Sequence, residues 1–467
     1  MIQGEFAAPS PGALADEVAA VSADRHDPGV GTFERVLNAV VAHGHRDREA
    51  LARALTGVPR EVGGAAGTQV RGLAVVVGAA VGTVGVAEDG KGAGAGWLEL
   101  CQHAALDYVA GARVGELAAR LRAGDTVPFL LSVPSRGSGA VEPHELVARL
   151  AEYGRLGIRP GPADLGQALL RCGGPVDPEA VRAAERLDSA EGPRVAAWLR
   201  RGGLPGPLSR REREAGVPER PSRRRGARAG RRILVGHEAI EGRGDFPRRF
   251  WSLFRKFEPH ISCPHWTLPD FRNAHTVAAL PWHPEIAAAR LLTGVASAAD
   301  QGGQGGRGTP AFLDALAATD GPAGPAVHLA LAYGLGSVPQ ADRDAAVRSL
   351  VLLAARGRLD GELLGRELTE LVGLGTLKVP LVTESLRAAA GTARGATAIW
   401  SVLAGALPGL LAHTRPQAHG ALLAVAADSA ALSGARGGLP EVTALAERPG
   451  SSQLLKQARR LRDTLGG

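Results

Sequence analysis

Aromatic residues, cysteine and methionine are all scarce in this chain of 467 residues. Aromatic side chains make up 4% of the sequence, and there are 3 cysteines and 1 methionine. Cys101, Cys172 and Cys263 lie far apart and form no CxxC pair, which argues against a disulfide framework and indicates a reducing, cytoplasmic location. With so few aromatics, the core must consist mainly of Ala, Leu and Val, which suits closely packed helices with small side chains at their crossings.

The sequence also shows no export signal or obvious membrane span. The first 14 residues contain no basic segment followed by an apolar one, so we expect no signal peptide. The uncharged run 72–87 has 16 residues rich in Gly and Ala, whereas a membrane-spanning helix needs about 20 apolar residues. We interpret this run as a buried repeat helix and expect no contact with a membrane.

Positive charge is confined to one part of the chain. The formal net charge is +7, from 54 basic and 47 acidic residues. Between residues 210 and 232 there are ten Arg and three Glu, a balance of 10 − 3 = +7, so the remainder of the chain is formally neutral. The folded parts therefore need not be nucleic-acid binders.

The clearest pattern in the sequence is the helical periodicity of residues 342–412. Apolar residues recur at i, i+4, i+7 and i+8 with a polar opposite face, which predicts amphipathic helices packed on their neighbours. The residues predicted to face inwards are Ala346, Leu350, Leu353, Ala354, Leu364, Leu368, Leu371, Val372, Val382, Leu386, Ala389, Ala390, Ile399, Leu403, Ala406 and Leu410. Helix pairs open near Asp342, Pro380 and Gln417, a period of 38 and then 37 residues, close to that of HEAT-type two-helix repeats.

These patterns predict an all-α fold. We expect a HEAT-like α-solenoid of antiparallel helix pairs in two blocks, residues 1–205 and residues 240–467. The segment 206–239 between them is rich in Arg, Pro and Gly and is predicted to be a disordered linker. Residues 246–282 hold eight of the aromatic side chains and are expected to form an aromatic-rich connector.

Prolines mark the expected helix starts in the first block. Pro143, Pro162 and Pro178 each stand at the beginning of a helical pattern, where the missing N–H donor is one that the first turn leaves free. The apolar stretch 127–134 is bracketed by prolines and is too short for a helix, so we interpret it as an extended connector.

Three stretches of the sequence resemble a known family. They are VPFLLSVPSRGSGAVEPHELVARLAEYGRLGIRPGPADLGQALLR (127–171), LPWHPEIAAARLL (280–292) and GRLDGELLGRELTELVGLGTLKVPLVTESLRAAA (357–390). They are similar to large helical-repeat proteins of high-GC actinobacteria that are known only as domains of unknown function. The resemblance runs from about residue 97 to the C-terminus, and since members are often longer, the chain resembles the C-terminal half of one. It implies a helical-repeat fold with packing and turn motifs, and it offers no activity or catalytic residues.

Two motifs begin like catalytic sites and then depart from them. Residues 85–92 match GxxxxGK, but Gly92 stands where a phosphate-binding loop needs the Ser or Thr that holds magnesium, so we attribute the match to chance. His237 and Glu238 begin like the helix of a zinc protease. Glu241 then occupies the position of the second histidine ligand, so that site is incomplete.

A group of histidines offers one further metal hypothesis. His260, Cys263 and His265, with His275 or His283 behind them, are residue types that bind zinc. Their spacing matches no common zinc module, and prolines make this stretch a stiff, irregular connector. We therefore expect structural histidines, no metal and no cofactor.

The Arg-rich segment 210–232 has two interpretations. As a polycation it would neutralise phosphates, and the nearby Arg248, Arg249, Arg255 and Lys256 alternate with aromatics able to stack on bases. The candidate nucleic-acid-binding residues are Arg223, Arg224, Arg225, Arg228, Arg231 and Arg232. In the alternative interpretation, the segment is a solvated linker beside an aromatic core, because Phe250, Trp251, Phe254 and Phe257 have the spacing of one buried helix stripe.

No combination of Ser, His and Asp or of Cys and His forms a recognisable catalytic set in this sequence. The function we favour is therefore a non-enzymatic cytoplasmic scaffold that binds an unknown protein partner. The alternative is association with nucleic acid through residues 210–232. A metal-binding or enzymatic role is the third possibility.

Overall fold

The structure is a computed structural model that describes most of the chain. The described residues are 8–23, 28–58, 68–82, 104–207, 209–215, 231–259, 274–301, 308–413 and 419–466. They are mostly α-helical, which confirms the predicted helical class, and two short strands form one antiparallel pair.

The helices before the strands have the following bounds: α1 (Pro11–Ala23), α2 (Val30–Arg46), α3 (Arg48–Leu55), α4 (Thr68–Ala80), α5 (Ala105–Ala123), α6 (Pro143–Arg155), α7 (Pro162–Arg171), α8 (Pro178–Glu185) and α9 (Gly192–Arg201). The predicted starts at Pro143, Pro162 and Pro178 are confirmed, since each proline is the first residue of its helix. Gly124 and Gly202 end α5 and α9 with positive φ angles of 73° and 72°, which glycine adopts without strain.

The strands and the following 3-10 helices are short. They are β1 (Ser209–Ala215), β2 (Arg231–His237) and two 3-10 helices, Arg243–Asp245 and Arg248–Phe254. The later helices are α10 (Ala274–Ala278), α11 (Pro284–Gln301), α12 (Thr309–Ala318), α13 (Pro325–Leu335), α14 (Gln340–Ala355), α15 (Gly361–Gly373), α16 (Val379–Ala389), α17 (Ala393–His413), α18 (His419–Ser433), α19 (Pro440–Ala446) and α20 (Gln453–Gly466).

From α10 onwards, each helix contacts the helix two places further along the chain. The sequence α10, α12, α14, α16, α18, α20 forms one such series, and α11, α13, α15, α17, α19 forms the other. The predicted inward faces agree with this packing: all sixteen residues predicted from 342–412 are buried, apart from Ala354, Val372 and Ala390, which are partly buried. Each helix has a polar face on the side opposite its apolar stripe, so the apolar stripe is the face that packs against the neighbouring helices of its series.

Glycines set the closest helix crossing, which joins α15 to α17. A Cβ atom at Gly365 would lie 2.3 Å from the carbonyl oxygen of Val402, and one at Gly405 would lie 2.9 Å from Cα of Glu362. Thr369 of α15 donates a hydrogen bond of 3.0 Å to the carbonyl of Ala406. The backbones are therefore in direct contact, which leaves no room for a methyl group.

We expect Gly365→Ala to lower the free energy of unfolding by about 1–3 kcal/mol, because the added methyl group must push two backbones apart. Urea denaturation followed by circular dichroism measures the change. Gly115→Ala is the matched control, since Gly115 lies within α5 and nothing is near its missing Cβ. It should leave stability unchanged or raise it by about 0.5–1 kcal/mol through helix propensity. Equal effects for the two variants would contradict the close crossing.

The ends of the predicted linker differ from the expectation of disorder. β1 pairs with β2 from Ser209 opposite His237 to Ala215 opposite Arg231. Ile233, Leu234 and Val235 of β2 are buried against α11 and α13. Burial of these three consecutive apolar residues favours the strand over a solvated linker. Residues 216–230, the middle of the predicted linker, lie outside the described residues.

Contacts cross the predicted boundary between the two blocks, and the buried apolar residues form one continuous core. Gln167 of α7 donates a 3.1 Å hydrogen bond to the carbonyl of Ala279. A Cβ atom at Gly166 would lie 2.9 Å from the ring of Phe250, so the two residues are in close contact. The helices on either side of the strands therefore pack directly on each other.

A longer uncharged run than 72–87 lies at residues 395–414. By length and composition alone, one described helix is long and apolar enough to cross a membrane. It is Arg394–Ala412 within α17, with a mean hydropathy of 1.5. The same test is passed by core helices of soluble proteins, and Ile399, Leu403 and Ala406 of this helix are buried. Of the run 72–87, residues 72–80 belong to the shorter helix α4, and residues 83–87 lie outside the described residues.

Candidate functional site

The most unusual feature of the interior is the segment 127–134, which joins α5 to α6 without helical structure. This confirms the prediction of a non-helical connector. Leu130, Leu131, Ser132 and Val133 are completely buried. A buried segment that is neither helix nor strand must find hydrogen-bond partners for its backbone elsewhere, because water cannot reach it.

Buried polar side chains from neighbouring helices supply partners for the amide groups. The side-chain oxygen of Asn38 accepts a 2.9 Å hydrogen bond from the amide of Leu130. Asp164 accepts hydrogen bonds from the amide of Leu131 at 2.7 Å and from the hydroxyl of Ser132 at 2.5 Å. These contacts fix the path of the segment from one side.

Arginine and tyrosine side chains satisfy its carbonyl groups. Arg149 donates to the carbonyl of Leu131 at 2.8 Å and also to that of Val133. Arg171 donates to the carbonyl of Ser132 at 2.6 Å, and the hydroxyl of Tyr153 donates to the carbonyl of Phe129. The segment is thus held by charged groups inside the protein rather than by regular secondary structure.

The charges at the centre of this network, on Glu34, Asp164, Arg113 and Arg171, balance one another. Arg113 makes two hydrogen bonds to the carboxylate of Glu34, at 2.9 and 2.7 Å, and Arg171 makes a third at 2.7 Å. Arg113 also lies 3.5 Å from Asp164. Burial alone would raise the pKa of Glu34, but Arg113 and Arg171 outweigh it and hold that pKa well below its usual range. Glu34 is therefore ionised and paired on both sides.

The network has the geometry of a structural element rather than of a catalytic site. The hydroxyl of Ser132 donates to a carboxylate, and no imidazole activates it among the hydrogen bonds of the described residues. Both carboxylates are engaged by arginine or by backbone N–H groups, and the whole set is buried. A substrate would have no reacting group to meet there.

Two helices share a second polar device at their first turns. The sequence Gly-Pro-Ala stands at the start of both α7 and α13, with the glycine just before the first helical residue. A glutamate from another helix accepts hydrogen bonds from the free backbone N–H groups there. Glu116 accepts from Ala163 at 2.8 Å and from Asp164 at 3.0 Å. Glu285 accepts from Gly324, Ala326 and Val327 at 2.8 to 2.9 Å. Burial raises the pKa of both glutamates, although the backbone donors oppose the rise. These are helix caps, not reactive acids.

The candidate metal ligands are not brought together by the described structure. His237 ends β2 instead of starting a helix, and one of its ring nitrogens lies 2.8 Å from the carbonyl of Glu238. His275 lies 2.6 Å from the carbonyl of Pro28. No group of three or more His, Cys, Asp or Glu able to hold a metal occurs among the described residues. His260, Cys263 and His265, like the motif at 85–92, lie outside them.

Burial makes two further candidate groups unreactive. Cys172 is buried, and burial raises the pKa of its thiol to about 12, so the nucleophilic thiolate does not form near neutral pH. Burial lowers the pKa of His283 to about 4, which keeps its imidazole neutral.

Two of the six candidate nucleic-acid-binding arginines are among the described residues, and their surroundings differ. Arg231 is exposed, and its backbone carbonyl accepts a hydrogen bond from Thr376. Arg232 is only 1% exposed, so its side chain faces the interior and is not available to a nucleic acid at the surface. Arg223, Arg224, Arg225 and Arg228 lie outside the described residues.

The aromatic stripe predicted between residues 250 and 257 is largely core. Phe250, Phe254 and Phe257 are buried, as the stripe predicts. However, Phe250 and Phe254 lie in a 3-10 helix and Phe257 lies in the extended segment after it, so they do not share one α-helix. Trp251 is only half-buried and departs from the stripe.

Comparisons with protein-family models, with curated proteins and with solved structures found no match for this chain.

Proposed function

We propose that this chain is a HEAT-like α-solenoid that serves as a non-enzymatic scaffold for a protein partner in the cytoplasm. The observation that supports the proposal is the packing from α10 to α20, in which each helix contacts the next but one. Two such series of helices give the stacked pairs of a solenoid, whose outer faces are extended surfaces suited to binding other proteins.

On α14, two exposed large apolar side chains are neighbours in the sequence. Val351 and Leu352 are adjacent on α14 and are 38% and 36% exposed. An ion pair of 2.8 Å between Asp314 and Arg348 lies beside them. An apolar centre with a charged rim is the composition of many transient protein interfaces.

Co-purification of the full chain from its native host tests the scaffold proposal. We expect one protein to be retained in a fixed ratio after nuclease treatment. A Val351→Glu and Leu352→Glu double variant should weaken retention at least tenfold if the α14 face is the contact surface. Leu432→Glu, at a residue 63% exposed on α18, is the control. Failure to recover any protein in a fixed ratio would contradict the scaffold role.

Association with nucleic acid through residues 210–232 is our second proposal, supported by the exposed Arg231 and by the +7 balance of this segment. Because β2 belongs to the core, the test is replacement of residues 216–230 alone by a short Gly-Ser loop, which keeps both strands. Loss of binding to single-stranded DNA at 50 mM salt would support this proposal. Unchanged binding would contradict it.

A further inference from the structure

A second basic surface lies at residues 243–256, outside the Arg-rich segment. Its exposed arginines are Arg243, Arg248, Arg249 and Arg255, which lie on either side of the half-buried Trp251 in the sequence. We call these five residues the Trp251 surface. Within 243–256 there are five basic residues and one acidic residue, a balance of 5 − 1 = +4, and the fifth basic residue, Lys256, pairs with Glu258 at 2.6 Å.

The local fold turns these side chains outwards. In the 3-10 helix Arg248–Phe254 the side chains of Phe250, Leu253 and Phe254 are buried. With about three residues per turn, the intervening Arg248, Arg249 and Trp251 are then directed away from the core. The indole nitrogen of Trp251 donates a 3.0 Å hydrogen bond to the carbonyl of Phe246, which anchors the ring at the surface.

Two arginines stack on this anchored ring. The guanidinium carbons of Arg243 and Arg248 lie 5.3 and 5.9 Å from the centroid of the Trp251 ring. Stacking on an aromatic ring orders a guanidinium group while leaving its N–H edges free to donate. The surface therefore presents ordered donors rather than freely rotating side chains.

Among the described residues, the arginines of the Trp251 surface also have no acidic partners. No carboxylate of the described part of the chain lies within 4.0 Å of Arg243, Arg248, Arg249 or Arg255, and the one acidic residue of the segment, Asp245, pairs with Arg201 at 3.0 Å. Some other exposed arginines do have such a partner, as Arg348 has in Asp314 at 2.8 Å. An unneutralised cluster of like charge repels itself unless an anion binds to it.

We propose that the Trp251 surface binds the phosphodiester backbone of a single-stranded nucleic acid. Guanidinium groups match phosphate oxygens in paired hydrogen bonds, and an indole accepts the face of an unstacked base. A lipid bilayer fits less well, because none of the large apolar side chains that are exposed in the described structure lies in this segment. The proposal is independent of the scaffold role and of the Arg-rich segment.

Strand β2 connects the Trp251 surface to the Arg-rich segment. His237 at the end of β2 is bridged to Phe257, directly after the Trp251 surface. The other end of β2 is Arg231, about 20 Å away at the usual rise of about 3.3 Å per residue. One strand of several nucleotides is long enough to reach both ends.

Fluorescence anisotropy with a fluorescein-labelled 20-nucleotide oligothymidylate tests the proposal on the full chain. We expect the Arg248→Gln, Arg249→Gln and Arg255→Gln triple variant to bind at least tenfold more weakly at 50 mM salt. The slope of log affinity against log salt should fall by about 2, since each contact with a single strand contributes about 0.7. Binding should quench tryptophan fluorescence, and Trp251→Phe should reduce that quenching.

Matched variants make the outcome decisive. The triple variant Arg182→Gln, Arg186→Gln and Arg387→Gln removes the same charge from exposed sites elsewhere and should bind within twofold of the unaltered chain. Thermal melts check that both variants remain folded, and Lys in place of Gln should restore part of the affinity. The proposal is overturned if the two triple variants weaken binding equally. It is also overturned if replacing residues 216–230 abolishes oligothymidylate binding while the first triple variant still binds the oligonucleotide. Binding of the chain to phosphatidylserine vesicles or polyglutamate, without binding to the oligonucleotide, would overturn it as well.

Discussion

Glu34→Gln is expected to lower the free energy of unfolding by about 3–5 kcal/mol, the largest effect of any substitution considered for this chain. The neutral amide leaves Arg113 and Arg171 buried without the carboxylate that both contact. Asp164 still lies 3.5 Å from Arg113, so one guanidinium charge remains uncompensated in a region that water cannot reach. Removing one partner of a buried pair exposes the full cost of desolvating the other.

Urea denaturation measured at neutral pH gives the size of this effect. Glu49→Gln is the control, because Glu49 also pairs with an arginine, Arg53 at 3.6 Å, but on the exposed surface. We expect its unfolding midpoint to stay where it is in the unaltered chain. A double variant that adds Arg171→Met to Glu34→Gln should cost less than the sum of the two single variants, because it removes the guanidinium charge that the loss of Glu34 leaves unpaired. Additive losses would show that Glu34 and Arg171 do not act as a pair.

Acidification is expected to destabilise the fold through His237. This residue is 1% exposed and lies in contact with Phe257, while one ring nitrogen has no hydrogen-bond partner among the described residues. Burial, with a smaller contribution from the positive charge of Arg290, lowers the pKa of His237 to about 4, and the carbonyl of Glu238 only partly opposes this. The folded state therefore resists protonation of a group that the unfolded chain protonates near pH 6.5.

The sign of the effect follows from proton binding. Between pH 6.5 and 4 the unfolded state binds the proton and the folded state does not, so the stabilising contribution is complete above pH 6.5 and is lost as the pH falls through 4. The difference between these pKa values corresponds to about 3 kcal/mol. Burial of His283 acts in the same direction.

A series of urea denaturations from pH 7.5 to pH 4 measures this loss. His237→Gln should reduce the fall of the free energy of unfolding with falling pH. The difference in that free energy between the variant and the unaltered chain at each pH removes the contribution of carboxylates that both share, including Glu116 and Glu285. His45→Gln, at an exposed position, controls for the removal of a histidine. An identical pH dependence for His237→Gln and the unaltered chain would contradict the assignment.

Periodicity was sufficient to predict the helices after residue 340 because burial there follows a simple stripe. Leu350, Leu364, Leu368 and Leu403 are all buried where the 3.6-residue pattern places them. The same reasoning missed β2. Its run of Ile233, Leu234 and Val235 is short, and the surrounding arginines lower the average hydrophobicity on which the linker prediction depended.

The buried ionic network shows a different limit of sequence reasoning. Arg171 follows Leu169 and Leu170 and precedes Cys172, so a charge within an apolar run was a visible signal. Its partner Glu34 is 137 residues away, and nothing in the spacing of either helix connects them. Such pairs depend on how distant helices pack, which periodicity does not describe. Trp251 illustrates the same point, because a 3-10 helix rather than an α-helix decides which aromatics face outwards.

The core that spans the chain also constrains its synthesis. Arg171 donates to the carbonyl of Ala278, which is translated 107 residues later. At about 5–20 residues per second, the ribosome needs about 5–20 seconds to deliver that partner. During this interval the early helices carry charged and apolar groups that nothing yet covers, which makes nascent chains of this protein candidates for chaperone binding until α10 has emerged.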